Sequence, residues 1–87
     1  TPEIRIDCPD DKKFEIVREL TETFRNQYEV IDIDGVRIDF DDGWALIRAS
    51  NTQPILVLRF EAPSAARLDE IRTLVEGDLA ALEAALP

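Results

Sequence analysis

Residues 44–60 read Trp44-Ala45-Leu46-Ile47-Arg48-Ala49-Ser50-Asn51-Thr52-Gln53-Pro54-Ile55-Leu56-Val57-Leu58-Arg59-Phe60. Two apolar, strand-like runs flank a short polar connection. Spacing this short predicts antiparallel neighbours, because parallel strands need a crossover of a dozen residues or more. Trp44 to Ser50 is one strand and Ile55 to Ala62 the next. Upstream, Val36, Ile38 and Phe40 alternate with Arg37 and Asp39, the period of a half-buried strand. Asp41-Asp42-Gly43 makes the turn into Trp44, and Asp34-Gly35 is a two-residue hairpin signal behind a further strand, Tyr28 to Ile33.

At the start, Ile4, Ile6 and Cys8 alternate with Glu3, Arg5 and Asp7, and Pro9 ends that strand. From Lys12 to Asn26, Phe14, Val17, Leu20 and Phe24 predict the apolar stripe of a helix, with Asp10 as its N-cap. After the last strand, Ser64 is the expected N-cap of a second helix, with Pro63 just outside it. Leu68, Ile71, Val75, Leu79, Leu82 and Leu86 recur there at helical spacing. Gly77 interrupts that helix and weakens it by about 1 kcal/mol relative to Ala.

The order is β-α-β-β-β-β-α, an α+β fold. Two amphipathic helices need one apolar surface, which an antiparallel sheet of about four to five strands supplies on one face. Val36, Ile38, Phe40, Ala45, Ile47, Ala49, Leu56, Leu58 and Phe60 line that face. Trp44, Leu46, Arg48 and Ser50 share the opposite face, away from the helices.

Eighty-seven residues, 45% of them hydrophobic, make a single small domain, 1–87,. Such a core leaves roughly 5 kcal/mol of stability. With 19 Asp+Glu against 10 Lys+Arg, the net charge is −9. That argues against nucleic acid and anionic membrane surfaces as partners. No apolar run approaches the roughly 18 residues that span a bilayer. The chain opens at Thr1-Pro2 with no signal pattern and reads as a piece of a longer protein. Cys8 is the one cysteine, on the apolar side of its strand, and reads as a small core residue,. There is no histidine, which removes the commonest general base and zinc ligand,. Asp32, Asp34, Asp39, Asp41 and Asp42 lack the calcium-loop spacing and are better explained as hairpin-turn residues, so no metal site is assigned.

The 48–54 connection has the chemistry of an anion loop. Arg48 carries a planar fork of donors suited to phosphate. Ser50, Asn51 and Thr52 add short side-chain donors, and successive backbone amides in a tight turn can form a nest. Pro54 stiffens the end of the loop. No carboxylate occurs from Gly43 through Phe60. The plainer alternatives are an Arg48 paired with one of many surface carboxylates, and an ordinary Ser-Asn-Thr turn cluster. Arg59 reads as structural, either bracing the sheet or pairing with Glu61, and Arg37 and Arg5 as solvated strand positions. Trp44 and Leu46 are either an interdomain contact or packing within the chain.

Residues 35–62 resemble the C-terminal domain of the α-D-phosphohexomutases, most closely the bacterial phosphomannomutase/phosphoglucomutase branch. That family carries an Arg-x-Ser-Asn/Gly-Thr-x-Pro signature in its last domain, and here Arg48, Ser50, Asn51, Thr52 and Pro54 complete it. Asn51 is nearer the phosphomannomutase/phosphoglucomutase version than the phosphoglucosamine mutase version, which usually has Gly there. The likeness covers essentially the whole chain.

The resemblance implies an isomerase, cytoplasmic, that moves a phosphoryl group between the C1 and C6 oxygens of a hexose. Its ligands are glucose and mannose 1- and 6-phosphates and a bisphosphate intermediate. The phosphoserine and the Mg²⁺ held by aspartates belong to earlier domains. Those domains are this one's partners, with a hinge candidate at Thr1-Pro2. Arg48, Ser50, Asn51 and Thr52 then bind the substrate phosphate weakly, and no catalytic residue lies in the chain, which has no nucleophile–base set. The competing expectation is a stand-alone binding or interaction module using the Trp44/Leu46/Arg48 face. A third is a purely structural subunit surface.

Overall fold

The computed structural model describes residues 3–32 and 35–85. Five strands form one sheet: β1 (Ile4–Asp7), β2 (Glu29–Ile31), β3 (Val36–Asp39), β4 (Trp44–Ala49) and β5 (Ile55–Glu61). Helix α1 (Lys13–Arg25) follows β1, and α2 (Ala65–Ala85) follows β5. The element order and the α+β class are those expected. The sheet order is β1-β5-β4-β3-β2, every neighbouring pair antiparallel. The chain leaves β1 at one edge, α1 carries it to the opposite edge, and β2 to β5 then step back. β1 therefore closes against the last strand, with Ile4 opposite Leu58 and Asp7 opposite Ile55. That return places the Pro9 turn and the start of α1 beside the β4–β5 loop.

The predicted buried face is confirmed. Val36, Ile38, Ala45, Ile47, Leu56 and Leu58 are fully enclosed between the sheet and the helices. Phe40, Tyr28 and Phe24 make a ring cluster under the end of α1, with Tyr28 and Phe40 4.7 Å apart. Cys8 is 2% exposed, and burial raises its thiol pKa above the ordinary value,.

The stripe of α1 differs from expectation. Phe14 is 57% exposed, and Ile16 (1%) packs in the core with Leu20 and Phe24. The helical advance of 100° per residue accounts for this. Phe14 lies about 120° from Leu20 around the helix, whereas Ile16 and Phe24 lie about 40° from it and Lys13 about 20°. Asp10 is not the N-cap. Lys12 holds that position without a side-chain cap, after a turn in which the amides of Lys12 and Lys13 both donate to Pro9 O. Asp10 instead pairs with Lys13.

Helix α2 starts as read: Ser64 Oγ accepts the Arg67 amide at 3.1 Å. It runs unbroken through Gly77, where an added Cβ would meet nothing within 4 Å. Ile33, Asp34, Leu86 and the Thr1-Pro2 hinge candidate lie outside the described residues.

Candidate functional site

Alternation along β4 sends Ala45 and Ile47 into the core and leaves Trp44, Leu46 and Arg48 half-buried on the helix-free face. Arg48 is in register with Val57, and beyond it with Arg5 on β1. On the other side lies Gly35. Its φ is +114°, and a Cβ there would come within 2.7 Å of Arg48 Cβ and of Ile47 O. Only glycine accepts both that backbone geometry and that space, so Gly35 makes room for the stem of Arg48. Asp34-Gly35 was singled out as a turn signal; the steric relation to Arg48 was not legible without the register.

Arg48 also stands apart electrostatically. Arg5, Arg18, Arg25, Arg67 and Arg72 are ion-paired, and Arg37 lies over the Trp44 ring at 4.7 Å. Arg48 and Arg59 have no ion pair, hydrogen bond or ring contact among the described residues. The Arg59–Glu61 pair, one of the two structural roles open to Arg59, is absent among them, and Glu61 Oε2 accepts the Trp44 indole N–H at 2.8 Å. Arg37 is exposed, as expected, and its guanidinium lies over that indole, so Trp44 is packed on residues of its own domain.

The loop is tied down by its own hydrogen bonds. The Ser50 amide donates to Ile55 O at 3.1 Å, which closes the hairpin. Ser50 Oγ accepts the amides of Thr52 and Gln53, both at 3.2 Å, and lies 3.4 Å from Thr52 Oγ1. Two of the amides that a nest would offer are thus gathered onto one hydroxyl oxygen. The Asn51 backbone amide and side-chain amide have no acceptor among the described residues. Asn51 and Thr52 are exposed. The donors of the loop without a partner among the described residues are therefore the Arg48 guanidinium and the Asn51 amides, while the Thr52 hydroxyl is in contact with Ser50 Oγ alone. Folding brings carboxylates to the neighbourhood: Asp7 shares the row of Ile55 and Ser50, and Asp10 reaches the loop through Lys13.

Lys13 belongs to this site and was missed. It is 4% exposed, and its Nζ donates to Gln53 O at 3.0 Å and lies 2.8 Å from Asp10 Oδ1. Pro54 O accepts the Cys8 amide at 2.8 Å. The signal was present in the spacing, since Lys13 sits seven residues before Leu20, on the buried stripe,.

The acidic turn residues are used within the fold. Asp39 Oδ1 accepts the Asp41 amide, Asp42 pairs with Arg67, and Asp32 pairs with Arg25. Among the described residues no three acidic or thiol groups converge closely enough to hold a metal ion. None of their helices is long and apolar enough to cross a membrane.

Comparison with known proteins places the chain in a family. The chain is 43% identical over 88 residues to a phosphomannomutase/phosphoglucomutase of Pseudomonas aeruginosa, covering all of this chain and 19% of that protein. A probable phosphoglucosamine mutase of Methanopyrus kandleri is 43% identical over 68 residues, 77% of this chain and 15% of that one. A crystal structure of a phosphoglucomutase/phosphomannomutase family protein from Burkholderia thailandensis superposes with a TM-score of 0.77 at 35% identity, over 95% of this chain and 17% of that one. The chain thus spans less than a fifth of the length of these relatives. Residues 3–84 match the family described as phosphoglucomutase/phosphomannomutase, C-terminal domain, and the chain belongs to it.

Proposed function

We propose that this chain is the phosphate-gripping, C-terminal domain of a cytoplasmic phosphohexomutase that interconverts hexose 1-phosphates and hexose 6-phosphates. The observation that carries this reading is Arg48: a guanidinium without a partner among the described residues, in a chain of net charge −9, at the head of a loop that also exposes the Asn51 amides and the Thr52 hydroxyl. In this reading Arg48 binds the non-transferring phosphate bidentately, with Asn51 and Thr52 completing the contacts. Ser50 serves mainly as the oxygen that holds the loop in shape.

The grip acts by positioning. Fixing one phosphate sets the far end of the sugar against the reacting group, which recovers entropy otherwise lost in the encounter. The phosphoryl donor, a phosphoserine, and the Mg²⁺ that neutralises developing charge belong to the other domains of the polypeptide. No residue of this domain transfers the phosphoryl group. The two half reactions treat C1 and C6 in turn through a hexose bisphosphate, so the sugar must reverse between them. Side-chain donors that read the phosphate and leave its carbon unread permit that reversal. Closure of this domain over the sugar excludes water from the reacting phosphoryl group. The helix-free sheet face, with Leu46 half-buried and Ile31 57% exposed, is the surface on offer to the neighbouring domains.

An amide chemical-shift titration with glucose 1-phosphate and glucose 6-phosphate tests the reading. Both should move residues 48–52 with dissociation constants near 1 mM, worth about 4 kcal/mol. Free glucose should move none of them. A response confined to one of the two sugar phosphates would contradict a carbon-indifferent grip.

A further inference from the structure

We infer that Lys13 is a positioning residue for the phosphate loop: its buried ammonium fixes the loop's carbonyl edge away from the anion. The inference rests on the phosphate reading of Arg48 and extends it to a side chain on a different element, 35 residues earlier in sequence.

Lysines are almost never fully buried unless paired, because the charge loses its hydration. Here the side chain is 5% exposed and the ammonium is met by the Asp10 carboxylate and by Gln53 O. Among the described residues it is the one side chain from outside the β4–β5 hairpin that is hydrogen-bonded to the loop. The neighbouring carbonyl, Pro54 O, is held by the Cys8 amide of the same β1–α1 segment. Two successive carbonyl oxygens are therefore drawn toward α1.

Carbonyl oxygens are the groups of a loop that repel a phosphate. Holding both on the inner side leaves the outer side to Arg48, Asn51 and Thr52. An apolar residue at 13 would fill the stripe of α1 equally well and would leave Gln53 O with the Ile55 amide, at 2.9 Å, as its one remaining donor among the described residues. The cation at this position is accounted for by the loop rather than by the core.

The test is steady-state kinetics on the full-length protein that carries this domain, with glucose 1-phosphate as substrate. Lys13→Met keeps the aliphatic stem and removes the ammonium. It should raise KM about tenfold, in line with losing one hydrogen bond to a charged group, and weaken inhibition by inorganic phosphate to match. The value of kcat should change less. Val75→Ala, a core change under α2, serves as the control that destabilises the fold without touching the loop, and its KM should not move. If Lys13→Met lowers the melting midpoint yet leaves KM and phosphate inhibition at the parent values, while Arg48→Ala impairs both, Lys13 is merely structural and the inference fails alone. If Arg48→Ala itself has no effect, the phosphate reading fails and takes this inference with it. Lys13→Gln, which keeps a polar tip on a shorter stem, replaces Lys13→Met should the latter not fold, and the same rise in KM is expected of it.

Discussion

Replacing Gly35 with Ala concentrates two penalties at one position. The backbone there has φ +114°, which L side chains rarely adopt,. Holding a non-glycine residue in such a region costs about 1–3 kcal/mol. The new Cβ would also lie 2.7 Å from Arg48 Cβ and 2.7 Å from Ile47 O, well inside contact distance. The second of these is backbone of a central strand whose neighbours on both sides are paired, so it has little room to yield. Overpacking of this kind costs about 1–3 kcal/mol more. The sum, about 2–6 kcal/mol, is comparable to the whole stability expected of a domain this small. Urea unfolding of the parent and the variant measures it. With a slope near 1 kcal/mol/M, the midpoint should fall by about 2 M or more, with the slope unchanged. Gly77→Ala is the internal control, because its Cβ meets nothing and the helix is continuous there. That change should raise stability by about 0.5–1 kcal/mol,. A Gly35→Ala variant within 0.5 kcal/mol of the parent would refute the claim that Gly35 is required by Arg48 and its strand.

The face that α1 buries can be checked by a pair of substitutions. Ile16→Ala should cost about 2–4 kcal/mol in the same unfolding assay, and Phe14→Ala less than about 0.5, since Ile16 is enclosed and Phe14 is 57% exposed,. Cys8 gives a pH dependence. Burial raises the folded thiol pKa above its reference of 9.0, so below that reference both states are protonated and stability is flat,. Above it the unfolded state ionises first, and stability declines as pH climbs toward the folded pKa. Melting midpoints from pH 7 to 10.5 should show that decline in the parent and a weaker one in Cys8→Ala.

The sheet and its buried face were legible because β3 alternates with period two, β4 and β5 are short apolar runs that end in polar residues, and short turns or a five-residue connection separate the runs,. The capping of α2 was legible for a similar reason, as Ser64 stands directly before a long helical period. The face of α1 was not, because a spacing of three, three and four from Phe14 ignores the accumulated angle, and Ile16 and Lys13 fit the stripe better. Asp10 resembled an N-cap by type alone, while its geometry was set by the Pro9 turn and by Lys13. Of the site, Arg48 and the loop residues were readable as a local motif. The burial of Lys13 had a trace in its spacing from Leu20, but its contact with the loop did not, and neither did the role of Gly35, since these depend on β1 closing the sheet against β5 and on β3 lying beside β4.

The most direct test of the central claim is Arg48→Ala in the full-length protein, assayed with both glucose 1-phosphate and glucose 6-phosphate. A bidentate phosphate contact worth about 1.5–3 kcal/mol predicts a fall in kcat/KM of roughly 10–100-fold for both substrates, with KM raised and the fold intact. Parent-like kinetics in a folded Arg48→Ala protein would contradict the claim that this loop grips the substrate phosphate.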